Sequence, residues 1–226
     1  MVDDLSLLCH VTPLLSIAGY LAYPKQLRIN SAVLHFLSVI HNTFLVMFSG
    51  WTFISLAQFL YNEGIVFETN YYFKNPEFDT IIYFFYISKY YEFFDTFLLY
   101  LNGKTPIFLQ KYHHIGAVIC WHLHYLYKVD AVFFPTLVNS FVHTIMYSYY
   151  LGCLLKINKV QVIKQYITSI QLIQLFINFS CLYYYAPPVE TDFNYFLIKV
   201  FAAYASVLMI LFSQFYYANY IKPNRE

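Results

Sequence analysis

Three ionisable side chains, Lys89, Glu92 and Asp95, interrupt an otherwise apolar stretch running from Thr80 to Leu101. Spaced at i, i+3 and i+6, they drift round an α-helix by about 60° per step and share one broad face. A charge in hydrocarbon is costly, so the three mark either function or a structural ion-pair ladder between helices. One negative charge among them is unmatched, and such a surplus raises the basicity of a nearby imidazole or orients it. A second cluster begins the next apolar stretch, where Gln110, His113 and His114 in the run LQKYHH lie at i, i+3 and i+4 on one stripe. A third lies in NSFVHTIMYSYY, with Asn139, His143, Met146, Tyr147 and Tyr150 on a shared face, and a fourth comprises Thr168, Gln171 and Gln174. Imidazole beside carboxylate, amide and phenol is equipment for proton transfer or nucleophilic attack. Leaving any of these groups buried and unpaired costs on the order of 1 to 3 kcal/mol, so their convergence from several segments implies a site. The remaining histidines, His10, His35, His41, His122 and His124, each stand alone, and the expectation for each is a packing residue bonded to a backbone carbonyl.

The segments that must carry these stripes are set by composition. Of 226 residues, 60% are hydrophobic, 23% aromatic and only 11% charged, against roughly 25% charged in soluble domains. A water-soluble fold would have to bury nearly all of 24 Phe and 25 Tyr, which a 27 kDa surface does not allow. The net charge of +1 provides no basic field for nucleic acid. Cys9, Cys120, Cys153 and Cys181 lie in apolar segments without CxxC spacing, which argues against a disulfide framework or zinc site.

A bilayer core of about 30 Å needs some 20 apolar residues per helix. Gaps of that size between charges predict seven spans: Leu5 to Tyr23, Ser31 to Tyr61, Thr80 to Leu101, Ile107 to Tyr127, Ala131 to Leu155, Val160 to Tyr185 and Tyr195 to Tyr220. The first is preceded by Asp3 and Asp4 rather than basic residues, so it is expected to be a span and not a cleaved leader. Lys25, Arg28, Lys104, Lys156, Lys159, Lys164, Lys222 and Arg225 fall in alternate loops on one side. The other side carries Asp3, Asp4, Glu63, Glu68, Glu77, Asp79, Glu190 and Asp192, with Lys74 and the balanced pair Lys128 and Asp130. The positive side is expected to be cytosolic, which places the N-terminus outside the cytosol and the C-terminus within it. Pro187 and Pro188 predict the turn before the last span. No repeat or linker divides the chain, so residues 1–226 read as a single membrane domain.

The run SKYYEFFDTFLLYL, the histidine pair after it, NSFVHTIMYSYY and ITSIQLIQLF resemble, in order and spacing, the motifs of the very-long-chain fatty-acid elongases. The resemblance implies an all-α polytopic membrane protein: a seven-helix bundle enclosing an acyl-chain tunnel, in the endoplasmic reticulum, with its N-terminus lumenal. The implied activity is that of a 3-ketoacyl-CoA synthase, joining acyl-CoA to malonyl-CoA and releasing carbon dioxide and CoA. No cofactor or metal is implied. The expected partners are the two CoA substrates and membrane lipid, with room for a homodimer and for other enzymes of the elongation cycle. Carried onto this sequence, the catalytic candidates are His113, His114 and His143. Lys89, Glu92, Asp95, Gln110, Asn139, Tyr147, Tyr150, Gln171 and Gln174 are the candidate substrate-binding residues. His113 is the first candidate nucleophile or base and His143 the second, with His114 orienting it or donating a hydrogen bond. Asn139, Tyr147 and Gln171 are candidates to hold thioester oxygens, and Glu92 or Asp95 to fix an imidazole tautomer.

Two features depart from the family pattern. Gln110 stands where the histidine box usually begins, giving QxxHH, as in some elongases of polyunsaturated chains. Glutamine is neither a general base nor a good metal ligand, so the chemistry falls to His113 and His114. The C-terminal IKPNRE lacks the family's dilysine retrieval signal. Among rivals, a membrane di-iron desaturase or hydroxylase needs about eight clustered histidines, more than this sequence aligns. A seven-helix receptor or transporter leaves the ordered motifs unexplained, and a catalytically inactive elongase relative has only Gln110 in its favour.

Overall fold

Asparagine and threonine side chains start several of the helices in the computed structural model, which describes residues 2–23, 28–66, 68–157, 160–184, 189 and 191–222. The Asn30 side chain accepts from the Ala32 amide at 2.8 Å, Asn75 from Glu77 at 2.9 Å beside Pro76, and Thr191 from Asn194 at 3.1 Å. Each satisfies an amide that the first helical turn leaves without a partner. Among the described residues the helices are α1 (Val2–Ala22), α2 (Ser31–Glu63), α3 (Pro76–Tyr91), α4 (Phe93–Leu101), α5 (Phe108–Leu126), α6 (Phe133–Leu154), α7 (Lys164–Tyr184) and α8 (Asp192–Tyr216). Gly64, at φ +73°, ends α2 in a backbone region that residues with a Cβ avoid. The class is all-α, and the only β-type pairing described is one isolated bridge between Arg28 and Asn102.

Helix lengths follow the expected segments closely, with one correction. The third expected span is two helices, α3 and α4, meeting at Glu92. There the backbone tightens: the Asp95 amide bonds to the Glu92 carbonyl three residues back, at 3.1 Å, rather than four. Among the described residues, two helical stretches, Ser31–Glu63 and Asp192–Ile221 (α8 with the turn that continues it), are long and apolar enough by composition alone to cross a membrane. Others carry the polar stripes, which lower their mean hydropathy. Lys25, Lys159, Glu190, Arg225 and the Pro187–Pro188 turn lie outside the described residues, as do the side chains of Asp3, Asp4, Cys9 and His10 and most of IKPNRE.

Neighbour relations close a ring: α2 packs on α6, α6 on α7, α7 on α8, α8 on α5, α5 on α3 and α3 back on α2. Helix α1 sits outside it, with Tyr20 stacked on Phe93 at 4.4 Å and Tyr23 edge-on to Phe97 at 4.7 Å. Polar groups turn inward, and Lys89, Glu92, Asn139 and His143 are all buried. Large apolar side chains turn outward instead, including Phe36, Met47, Ile54, Phe108, Phe176 and Ile210.

One end of the ring is sealed by aromatic packing of Phe59, Tyr72, Phe78 and Phe133, with centroids 4.8 to 6.0 Å apart. Asp130 ties the loop before α3 to this plug, accepting from the amides of Tyr72 at 2.9 Å and Phe73 at 3.1 Å. Lys128, which balances Asp130 in the loop charge count, pairs instead with Asp79 and lies 3.8 Å from the Tyr125 ring centroid.

Candidate active site

The opposite end of the ring is open. A cavity of about 770 Å³ runs inward from the level where α4, α6 and α8 finish and α5 and α7 begin. Lys104, Asn102 and Lys164, all exposed, line its outer part, and Glu92, His113, His114 and His143 line its inner part. Between them the wall is largely apolar, with Leu98, Leu99, Ile167, Phe212 and Phe215 among its residues. Asp95, Gln110, Tyr147, Tyr150 and Gln171 also line it, whereas Lys89, Asn139 and Gln174 do not.

The inner wall is built on a buried ion pair. Lys89 Nζ donates to Glu92 Oε1 at 2.7 Å and to Asn139 Oδ1 at 3.1 Å. Its ammonium also lies 4.0 Å from the Phe85 ring centroid and 5.3 Å from that of Trp121, so aromatic faces stabilise the charge where water does not reach. Helix α3 and its junction with α4 are thereby locked to α6. His143 Nδ1 lies 3.5 Å from the same Glu92 oxygen, which sets the orientation of that ring. The second oxygen, Oε2, is buried without a hydrogen-bond partner.

His113 faces this group. One ligating atom each from Glu92, His113 and His143 lie within 4.8 Å of one another, and the His113 and His143 ring centroids are 6.3 Å apart. A thioester carbon can be reached from both rings at that separation. The residue types would also suit a metal ion, although the Lys89 ammonium already balances Glu92. Two imidazoles and one carboxylate fall short of a di-iron shell. His114, one residue on, points towards α1 and α4, with Tyr20 and Phe93 each 6.3 Å from its ring centroid. Its Nδ1 is buried without a partner, an unsatisfied group of the kind a bound substrate completes.

Asp95 does not serve the histidine box. Its carboxylate bridges His41 Nε2 on α2, at 2.9 Å, and the Tyr147 hydroxyl on α6, which donates at 2.8 Å. His41 is thus bound to a carboxylate and not to a backbone carbonyl as expected, while His124 meets that expectation through Cys120 O at 2.8 Å. His122 instead contacts the Tyr90 hydroxyl at 3.3 Å, and His35 is exposed. Gln110 donates to Thr96 at 3.2 Å, joining α5 to α4, and Gln171 donates to Met146 Sδ at 3.1 Å, joining α7 to α6.

Sequence reasoning missed Tyr204 on α8. Its hydroxyl lies 3.0 Å from His113 Nδ1 and 2.9 Å from the His113 carbonyl oxygen. The one available signal was Gly116, three residues after His113 on the same stripe, where a missing side chain marks close approach by another element.

Fold and site together define a helical bundle with a histidine-lined acid–base chamber at the base of an apolar cavity. The profile of the ELO (GNS1/SUR4) family matches residues 7–226, and the chain belongs to that family. "Fatty acid elongase sre1" of Dictyostelium discoideum is 33% identical over 206 residues, covering 86% of this chain and 76% of that protein. "Very long chain fatty acid elongase 5" of Tachysurus fulvidraco is 32% identical over 195 residues, covering 81% and 65%. "Very long chain fatty acid elongase 2" of Mus musculus is 34% identical over 148 residues, covering 63% and 50%. The chain therefore spans only about half to two thirds of the length of the latter two relatives.

Proposed function

We propose that this protein is the condensing enzyme of fatty-acid elongation, extending a long-chain acyl-CoA with malonyl-CoA to a 3-ketoacyl-CoA two carbons longer. Membership of the elongase family supports the activity, and the facing pair His113 and His143 at the inner end of an apolar cavity carries the reading. In this reading His113 attacks the acyl thioester, a nitrogen–carbon bond forms and the carbon–sulfur bond breaks, so CoA leaves as its thiolate. Malonyl-CoA then loses carbon dioxide, and the enolate carbon so formed takes the acyl group and releases the imidazole. His143, held at Nδ1 by Glu92, lies next to the reacting carbons and positions the malonyl group. His114 offers a hydrogen bond to developing charge. Lys89 and Asn139 act behind Glu92 by holding its position, and Asp95 acts by fixing Tyr147 and His41.

The bundle lies in the endoplasmic reticulum membrane with lipid against its apolar outer face, since an outward surface of Phe, Met and Ile with charges turned inward is unfavourable in water. The open end faces the cytosol, where Lys104 and Lys164 meet the phosphates of CoA. The N-terminus is lumenal and the C-terminus cytosolic.

Separate His113→Ala and His143→Ala variants, purified and assayed for labelled 3-ketoacyl-CoA, test this. Each should lose on the order of 100-fold or more in turnover. Retention of most of the wild-type rate by both would overturn it.

A further inference from the structure

We propose that Tyr204, seated against Gly116, is a positioning residue that holds His113 in the tautomer protonated on Nδ1, leaving Nε2 as the attacking nitrogen. This deepens the proposed function and rests on His113 being the acyl acceptor.

The assignment follows from counting protons. The Tyr204 hydroxyl lies 2.9 Å from the His113 carbonyl oxygen and 3.0 Å from Nδ1 of the same residue. A carbonyl only accepts, so the single phenolic proton goes to it. The hydroxyl can then engage Nδ1 only as an acceptor, and Nδ1 must carry a hydrogen. In a neutral imidazole this leaves the lone pair on Nε2, on a ring that lines the cavity. Tyr204 is therefore bonded to both the ring and the backbone of one residue, which restrains rotation of the ring as well as its protonation.

Gly116 makes that approach geometrically feasible. A Cβ at this position would lie 2.1 Å from Cε2 and 2.5 Å from Cδ2 of the Tyr204 ring. Both atoms belong to a rigid ring buried against Tyr112 and Phe201, with centroids 5.6 and 6.2 Å away. Even alanine would force the phenol away from His113. No other feature of the proposed reaction accounts for a glycine here or for a phenol on α8.

The chemistry benefits in a specific way. As the Nε2–carbon bond forms and the carbon–sulfur bond breaks, the electron pair leaves on the CoA thiolate, which takes a proton from solvent. His113 loses no proton, because Nε2 carries none. The positive charge of the acyl-imidazolium spreads to Nδ1–H, where the Tyr204 oxygen accepts. When the enolate takes the acyl group, the nitrogen–carbon bond breaks and the pair returns to Nε2, restoring the starting tautomer.

Nitrogen-15 NMR of wild-type protein labelled at histidine, in detergent micelles, reads the tautomer directly once a His113→Asn spectrum has identified the resonances. Nδ1–H with an unprotonated Nε2 is expected, and an Nε2–H form would overturn the assignment without any mutant of Tyr204. Tyr204→Phe and Gly116→Ala should each lower kcat roughly tenfold or more, about the net worth of one hydrogen bond, while KM for acyl-CoA stays within about threefold. A rise in KM at unchanged kcat would indicate a packing role only and would refute positioning. The parent reading fails separately: an active His113→Ala enzyme removes the nucleophile whatever Tyr204 does. An inactive His113→Ala enzyme beside a fully active Tyr204→Phe enzyme refutes the positioning role alone.

Discussion

Replacing Lys89 by Met removes the cation from a deeply buried carboxylate. Lys89 and Glu92 are 1% and 2% exposed, and their charged atoms are 2.7 Å apart. At that distance an effective dielectric of about 20 gives an attraction of roughly 6 kcal/mol, much of it offset by the desolvation of both ions. Deleting one partner leaves the other buried and uncompensated, which costs about 3 to 5 kcal/mol. Lys89→Met also strips Asn139 Oδ1 of its donor. The companion double variant, Lys89→Met with Glu92→Gln, removes the stranded charge and should recover at least about 2 kcal/mol of the loss. Unfolding of the purified protein by sodium dodecyl sulfate in mixed micelles gives the free energies, and the double-mutant cycle isolates the pair. A Lys89→Met protein within about 1 kcal/mol of wild type, or strictly additive losses, would refute a buried ion pair as the brace of the site.

Other expectations follow from the same geometry. Asp130→Ala strands the Tyr72 and Phe73 amides and should destabilise by about 2 to 3 kcal/mol in the same titration, with Asp130→Asn falling between. Tyr147→Phe, which removes the donor to Asp95, should cost about 1.5 to 3 kcal/mol, the worth of a hydrogen bond to a charged group. Lys104→Glu and Lys164→Glu should raise KM for acyl-CoA about threefold to tenfold at low salt with kcat unchanged, and the difference should shrink as salt screens these exposed charges.

Helix periodicity alone exposed the polar stripes from which the site is built. Lys89, Glu92 and Asp95 share a face because of their spacing, and so do His143, Met146 and Tyr147. Partner choice between helices was not legible, because it depends on axial register that no local pattern encodes. Asp95 is 54 residues from His41 and 52 from Tyr147, and nothing around any of the three announces the contact. Tyr204 meets His113 across 91 residues and is one tyrosine among 25. The break at Glu92 is hidden for a different reason: FFDTFLLYL continues the apolar helical pattern that precedes it, with no glycine or proline to mark the division. Lys128 and Asp130 balance in a count of loop charges, but no sequence pattern signals that Lys128 pairs with Asp79 on α3 or that Asp130 accepts from the Tyr72 and Phe73 amides.

The most direct measurement is mass-spectrometric mapping of the purified protein after incubation with acyl-CoA alone. An acyl adduct on the peptide carrying His113 is expected, discharged by malonyl-CoA with formation of 3-ketoacyl-CoA and absent from His113→Ala. Steady turnover with no adduct at any time, or an adduct confined to a cysteine such as Cys153, would contradict a histidine nucleophile in this chamber.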